Sequence, residues 1–371
     1  MIPADRATHR GQHIVETKDD DKPDGSATGL ARRVDAALDR RGFTTRGLRV
    51  RLAVVLLAFS LVPVGAVGFG LYRLTNLGGP DNVCNGAATA EQVHDMLGPG
   101  RISERKSKDF NATDASPDNS CSARVRSGLF TTTEKVVQFR IERDTKGPAE
   151  LAAPDARLFS GDSVGSVSKY VAWALLPQGC PKGLRAEVHS SELGLDEERV
   201  RLAVSFANAA ARENGCAERK LPTPTSLSAR GAETDPDWND VCGLPGFAPA
   251  KDPGAERRYS QQVTTAADPI WSCVITRNAV GSVPQAFTIT TEPRTTAVTQ
   301  DASHPSQYGR ARRISGKYVE YVTTCQGKDT FFSLSGGFES DPYDYLFPNR
   351  DDLVRQFLTI GGKAIGCEPI L

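Results

Sequence analysis

Hydrophobic and polar positions divide this chain sharply at one place. The run Leu52 to Leu71, LAVVLLAFSLVPVGAVGFGL, holds no charged residue, whereas charges are frequent on both sides of it. A hydrocarbon core about 30 Å thick needs roughly 20 helical residues, and this run supplies them. It therefore predicts a transmembrane anchor within residues 46–74. Pro63, Gly65, Gly68 and Gly70 weaken a helix in water but are tolerated in lipid. Arg40, Arg41, Arg46, Arg49 and Arg51 crowd the leading side, and only Arg73 follows closely. Basic residues stay cytoplasmic, so the N-terminus is expected inside and residues from 72 onward outside. The leader of about fifty residues exceeds a usual n-region. An uncleaved signal anchor is expected, with cleavage near Val64-Gly65-Ala66 as the alternative.

Residues 1–45 read as a disordered cytoplasmic tail, poor in apolar side chains and clustered in charge. His9 and His13 lie four residues apart there without a helical pattern around them. Leu30, Val34, Ala37 and Leu38 share one face of a short helix bordered by Arg32, Arg33, Arg40 and Arg41. That segment reads either as solvated and basic or as a helix lying on anionic lipid or on a cytoplasmic partner.

Beyond the anchor, period-two and helical patterns alternate. Strands are predicted at Cys121–Arg126, Lys135–Ile141, Lys169–Leu176 and Leu184–His189, then at Ile270–Thr276, Ala286–Thr291, Lys317–Thr324 and Thr330–Leu334. A helix follows each set. The first starts at Asp196, turns Val200, Ala203, Val204, Ala207 and Ala211 to one face and stops at Gly215. The second is capped by Asn349, turns Leu353, Phe357, Ile360 and Ala364 inward and stops at Gly366. A short opening helix is expected at Thr89–Leu97, where Thr89 and Gln92 fit a capping box; Pro245 and Pro249 interrupt its counterpart.

The eight cysteines fall at 84, 121, 180 and 216, then at 242, 273, 325 and 367, with intervals of 37, 59 and 36 followed by 31, 52 and 42. Asn82-Val83-Cys84 matches Asp240-Val241-Cys242, and Asn119-Ser120-Cys121 matches Trp271-Ser272-Cys273. Tyr170-Val171-Ala172-Trp173 matches Tyr318-Val319-Glu320-Tyr321, and Asn214-Gly215-Cys216 matches Ile365-Gly366-Cys367. Ordered matches of this kind predict two copies of one α+β domain, residues 80–219 and 240–371, joined by a linker over 220–239. An even cysteine count beyond the anchor predicts disulfides; no C-x-x-C pair favours zinc or thioredoxin-like chemistry. Joining first to second and third to fourth cysteine in each copy is the simplest connectivity, and other pairings within a copy remain open.

Composition adds one exclusion. Basic and acidic residues number 45 each; after residue 71 the count is 34 basic and 37 acidic, too balanced to predict nucleic acid or another strongly charged partner.

Val83-Cys84, then Thr89-Ala90-Glu91-Gln92-Val93 and Leu97-Gly98, then a strand-borne cysteine, resembles a group of actinobacterial secreted lipoprotein domains of unknown function. The likeness covers about forty residues; in the second copy only Val241, the cysteines and Trp271 match. The resemblance implies a cell-envelope role. An anchor helix stands here in place of a lipid-modified cysteine.

Candidate chemistry is sparse. Gly161-Asp162-Ser163-Val164-Gly165 spells G-x-S-x-G, which needs a strand before it and a helix after it. Polar residues precede it here and a strand-like run follows; His189 and His304 are the histidines beyond. His94-Asp95 reads as a solvated helix face. Asp341, Asp344, Asp351 and Asp352 match no calcium-loop spacing, and acids at a helix start explain the last two. Arg310, Arg312, Arg313 and Lys317 with Tyr308 read as a basic loop or as a surface for an anionic polymer. Trp173 and Trp271 are expected in the core, which leaves Trp238 as the large aromatic with a claim to a binding surface.

The expectation is a single-pass plasma-membrane protein that binds or scaffolds an envelope protein or glycan. No catalytic residue, cofactor, metal or nucleic-acid partner is expected. The alternatives are a sensor whose outer repeats bind a ligand while the basic tail contacts a cytoplasmic partner, and an envelope serine hydrolase using Ser163.

Overall fold

The computed structural model describes residues 27–42, 45–107, 120–128, 133–143, 155–192, 194–216, 219–228, 231–252, 258–267, 270–277, 284–295, 308–314, 319–336 and 346–371. Within these, the side chains of 27–32, 35, 49, 58–67, 73 and 265–267 lie outside the description. The chain forms two compact units, residues 1–68 and 69–371.

The first unit is helical. Helix α1 (Ala27–Arg40) and helix α2 (Arg46–Leu74) begin on either side of a short break. The tail expected as disorder thus contains a helix from Ala27; residues 1–26, with His9 and His13, lie outside the described residues. Val34 on α1 is exposed beside Arg33 and Arg40. The charge-free run falls inside α2, where Val54, Val55, Leu56 and Leu57 are exposed. Among the described residues no helix is long and apolar enough to cross a membrane. The middle of the expected anchor, 58–67, belongs to the residues whose side chains are not described.

The second unit is α+β. It opens with a two-stranded ribbon, β1 (Asn82–Val83) and β2 (Ala88–Thr89), and helix α3 (Ala90–Leu97). Thr89 caps α3 through its side chain, and the Gln92 side chain returns to the Thr89 N–H, completing the capping box. Strands β3 (Arg101–Lys106), β4 (Ser120–Ser127), β5 (Thr133–Arg143), β6 (Arg157–Phe159), β7 (Gly165–Val167), β8 (Val171–Leu175) and β9 (Leu184–Ser190) form a sheet ordered β3-β4-β5-β9-β8-β7-β6. Helix α4 (Asp196–Glu213) follows. Strands β10 (Glu233–Thr234), β11 (Tyr259–Ala267), β12 (Ile270–Arg277), β13 (Gln285–Thr290), β14 (Arg312–Ile314), β15 (Val319–Cys325) and β16 (Lys328–Ser335) form a second sheet, ordered β10-β11-β12-β13-β16-β15-β14. A last helix runs as α5 (Arg350–Gln356), a π turn (Phe357–Gly361) and α6 (Gly362–Ala364).

Every neighbouring pair in both sheets is antiparallel. The first sheet runs as a three-strand meander and the second as a four-strand one; each then jumps to the far edge and returns inward to end beside the meander's last strand. Strands β6 and β10 have no counterpart. Cys121 pairs with Phe139 and Phe139 with Val188; in the second sheet Cys273 pairs with Phe287 and Phe287 with Leu334. From these fixed points Trp173, opposite Glu187, occupies the place of Glu320, opposite Ser333. The sequence match of Trp173 to Tyr321 is therefore one residue out of register. A slip of one residue reverses the face: Trp173 lies in a cluster on the side away from α4, and Tyr321 lies in the core beneath the last helix.

Alternation decides what each strand buries. In β5, Val137, Phe139 and Ile141 are buried and their neighbours half-buried, so one face meets the helices. On α4, Val200, Ala203, Val204 and Ala207 are buried in the core with that face, as are Leu202, Phe206 and Ala210, and Ala211 is buried too. Leu195 precedes this helix without a side-chain cap, and Asp196 is its first residue. In the second sheet Phe287, Phe332 and Leu334 meet Leu353, Val354, Phe357 and Leu358. Ala364, expected inward, is exposed. The π turn adds a residue to one helical turn and rotates everything after it; Gly361 and Gly362 take the inward positions.

The sheets meet through the faces turned away from their helices. Ile270 of β12 packs into a cluster with Leu158, Val164, Trp173 and Leu175. Gln262 on β11 accepts from the Asp155 N–H, and Gly183 N–H donates to the Arg294 carbonyl. The stretch expected as a linker is docked along this seam: Leu221 is buried in the first core, Ser228 bonds Leu158, and Glu233–Thr234 forms β10.

Candidate functional site

All eight cysteines are in disulfides: Cys84–Cys121, Cys180–Cys216, Cys242–Cys273 and Cys325–Cys367. Cys84 and Cys242 both have positive φ, 54° and 62°, so each first bridge leaves a left-handed turn for an inner strand of its meander. The second bridges fasten the chain just beyond each closing helix to the loop before β9 and to the end of β15. Among the described residues, Cys84, Glu104 and Cys121 are grouped closely enough to ligate a metal. Both sulfurs are spent in a disulfide, and the Glu104 carboxylate accepts from the Cys84 N–H at 2.8 Å.

Ser163 lies in the β6–β7 loop, with strands on both sides where a nucleophile elbow requires a helix to follow. It is 3% exposed, and its hydroxyl donates to the Pro222 carbonyl at 2.5 Å, which ties the docked segment to the first sheet. His189 is engaged elsewhere, and His304 lies outside the described residues. His94 Nε2 lies 3.0 Å from the Gly100 carbonyl and so acts as a donor, and Asp95 pairs with Arg201.

The acidic cluster divides. Asp341 and Asp344 lie outside the described residues, and Asp352 accepts from Gln356 at 2.9 Å. Asp351 accepts from the Tyr308 hydroxyl at 2.5 Å and from Arg355 at 2.7 Å, and those hydrogen bonds hold its carboxyl below the usual range. Burial, then the Asp351 carboxylate, pushes the Tyr308 phenol up. Arg310 donates to the carbonyls of Pro369 and Glu368, holding the C-terminal segment. Arg312 and Arg313 lie on β14, and Lys317 lies outside the described residues. Trp238 packs against the second core, edge-on to Tyr259 and beneath Lys251.

One charged cluster was not singled out by residue type. In Leu184–Ser190 strict alternation turns Leu184, Ala186 and Val188 into the core and Arg185, Glu187 and His189 to the other face. The Glu187 carboxylate, almost wholly buried, accepts from Arg185 at 2.6 Å, from Arg140 at 3.0 and 3.1 Å, and from His189 at 2.8 Å. Burial alone would push this carboxyl up. The hydrogen bond from His189 and the charge of Arg185 outweigh burial and hold it down at about 2. Arg185 also stacks over Trp173, and Arg140 reaches Glu142 at 2.9 Å. The buried Glu187 carboxylate is met by two guanidinium groups, so the cluster can fix charge in place.

Two open clefts flank the Lys220–Leu221 segment. One, about 360 Å³, is lined by Asp162, Gln178, Arg219 and Lys220; the other, about 290 Å³, by Gln92, Arg201, Ser205 and Asn208. Asn208 spends both its amide atoms on the Leu221 backbone. No protein-family model, no curated protein and no solved structure matches the chain.

Proposed function

We propose that this chain is a membrane-anchored protein that holds two duplicated, disulfide-stapled halves on the extracytoplasmic side. There it binds or scaffolds another component of the cell envelope and performs no catalysis of its own. The observation that carries this reading is a charge-free run inside an unbroken helix, Arg46–Leu74, followed by a body whose eight cysteines are all bridged. Disulfides persist in oxidising compartments, and the arginines ahead of the run favour an N-terminus left inside. The exposed apolar side chains on both arms of that helix, Val54 to Leu57 and Phe69 to Leu71, suit lipid better than water. Duplication is supported by the shared strand order and by bridges at matching places in each half. The Val83–Gly98 likeness to secreted actinobacterial domains favours an envelope setting.

The test is topology. Alkaline phosphatase fused after Leu371 is expected to be active in intact cells, and alkylation under denaturing, non-reducing conditions is expected to find no free thiol. An inactive fusion together with eight alkylated cysteines would refute the reading.

A further inference from the structure

Among the described residues, exposed side chains remain on the outer face of β3, β4 and β5. Over β3, β4 and β5 the register runs without a break. Ile102, Val125, Val137 and Phe139 are buried on the helix side, which places Arg101, Arg105, Arg124, Arg126 and Arg140 together on the opposite face. Arg105 and Arg126 are exposed, the Arg126 side chain by 55%. Two glutamates share these strands' outer face, and both are engaged. Glu134 bridges Arg124 and Arg126 at 2.9 and 2.8 Å, and Arg140 holds both Glu142 and the buried Glu187 of the adjacent β9. Arg101 stands directly across from Arg126, and its guanidinium lies over the Tyr72 ring at 3.9 Å and donates to the Leu77 carbonyl.

The chain as a whole carries no net charge, so this concentration is local. Neighbouring positions on the face are about 5 Å apart across strands and about 7 Å apart along them, which makes a two-dimensional grid of cations. Ser103, Ser122 and Gln138 stand between the arginines and offer hydrogen bonds to hydroxyl groups. Among the described residues no aromatic residue of β3, β4 or β5 stands on this face, and Tyr72 meets it only as the ring beneath Arg101, so the row of stacking rings that single-stranded nucleic acid uses is missing there. Val136 is its one apolar side chain, too little to insert into a bilayer.

We propose that this face binds a linear acidic polysaccharide, its carboxylate or phosphate groups on the arginines and its hydroxyls on the serine and glutamine side chains. The proposal deepens the envelope-binding reading and rests on it for the place where such a polymer is met.

The experiment uses the full chain in neutral detergent micelles with labelled polygalacturonate as the probe, titrated by anisotropy across a salt series. Binding is expected at about 50 mM salt. Replacing Arg105→Gln and Arg126→Gln together is expected to weaken it roughly tenfold and to lower the slope of log affinity against log salt by about 1 to 2, because each lost contact releases fewer counterions. Arg124 still holds Glu134 in that variant, and unchanged circular dichroism checks the fold. Lys328→Gln, an exposed cation on the second sheet, is expected to bind as the parent does. No binding by the parent overturns the proposal, as does an unaltered R105Q/R126Q titration or an equal loss in K328Q. Recruitment by phosphatidylglycerol-doped micelles without polygalacturonate binding overturns it in favour of lipid headgroups. Phosphatase topology is read separately, so failure of the surface and failure of the anchor are distinguishable.

Discussion

Glu187 is where burial and charge compete most directly. Its carboxyl is held at about 2 against an ordinary 4.5. A lowered folded-state pKa contributes stability that is complete above the unfolded value and disappears as pH falls through the folded one. A gap of this size corresponds to ~3 kcal/mol. Urea unfolding of the full chain should therefore show stability falling by that order between about pH 5 and pH 2. Glu187→Gln should be about 3 kcal/mol weaker at neutral pH, because Arg185 is left buried beside a neutral amide, and its acid limb should be flatter. Parallel curves for parent and variant would contradict the assignment. The alternation Arg185, Glu187, His189 was there to be read, since period two puts the three on one face. What it could not reveal was Arg140, 47 residues from Glu187 in the chain and brought alongside it by the β5–β9 pairing. Ser163 teaches the converse: its five-residue motif is legible at once, and its partner, the Pro222 carbonyl, belongs to a segment no local pattern links to it.

Among elements, those with strong internal periodicity were legible. Strands β4, β5 and β9 alternate apolar and polar residues, β12 and β16 are short runs rich in aromatic and β-branched residues, and the capping box of α3 needs only four adjacent residues. Strand β3, RISERK, was not legible: it is an edge strand whose exposed positions are mostly charged, as edges commonly are to resist pairing. Strands β6, β7 and β14 span three residues each, too short for a period to appear. The π turn is invisible for another reason, because a helix can take up the extra residue at any turn and packing against the sheet selects which. The closing helices are held at their ends by the second bridge of each half. Removing Cys180–Cys216 by double alanine substitution releases a closed loop of 36 residues and should cost about 4 kcal/mol by chain entropy. Hydrogen exchange should rise first in the last turns of α4, and uniform exchange across both halves would argue against a local tether.

At the scale of the molecule, the described residues join the two halves through buried contacts. Glu292 and Arg294, each about one-tenth exposed, form a two-pronged ion pair at 2.8 Å. Arg294 also reaches the carbonyls of Asp162 and Leu176, and its own carbonyl accepts from Gly183. Arg294→Met leaves Glu292 buried without its cation, at a cost of about 3 to 5 kcal/mol. The contact between halves weakens as well. One urea transition in the parent should separate into two, resolved by hydrogen exchange on each sheet; a single shifted transition would mean that the apolar cluster around Ile270 couples the halves alone.

The residue pattern by itself determined the charge-free run, the even set of cysteines beyond it, most long strands, the buried residues of α4 and the α+β class of the body. Each of these is written in neighbouring residues or in regular spacing, where period and composition are sufficient. Tertiary structure alone decided that the sheets meet through their outer faces, that Trp173 stands opposite Glu187 on the side away from α4, that the stretch expected as a linker is docked, and that arginines of three strands share one face. Period two says which side chains share a face, and only the packing of distant segments says what stands opposite it.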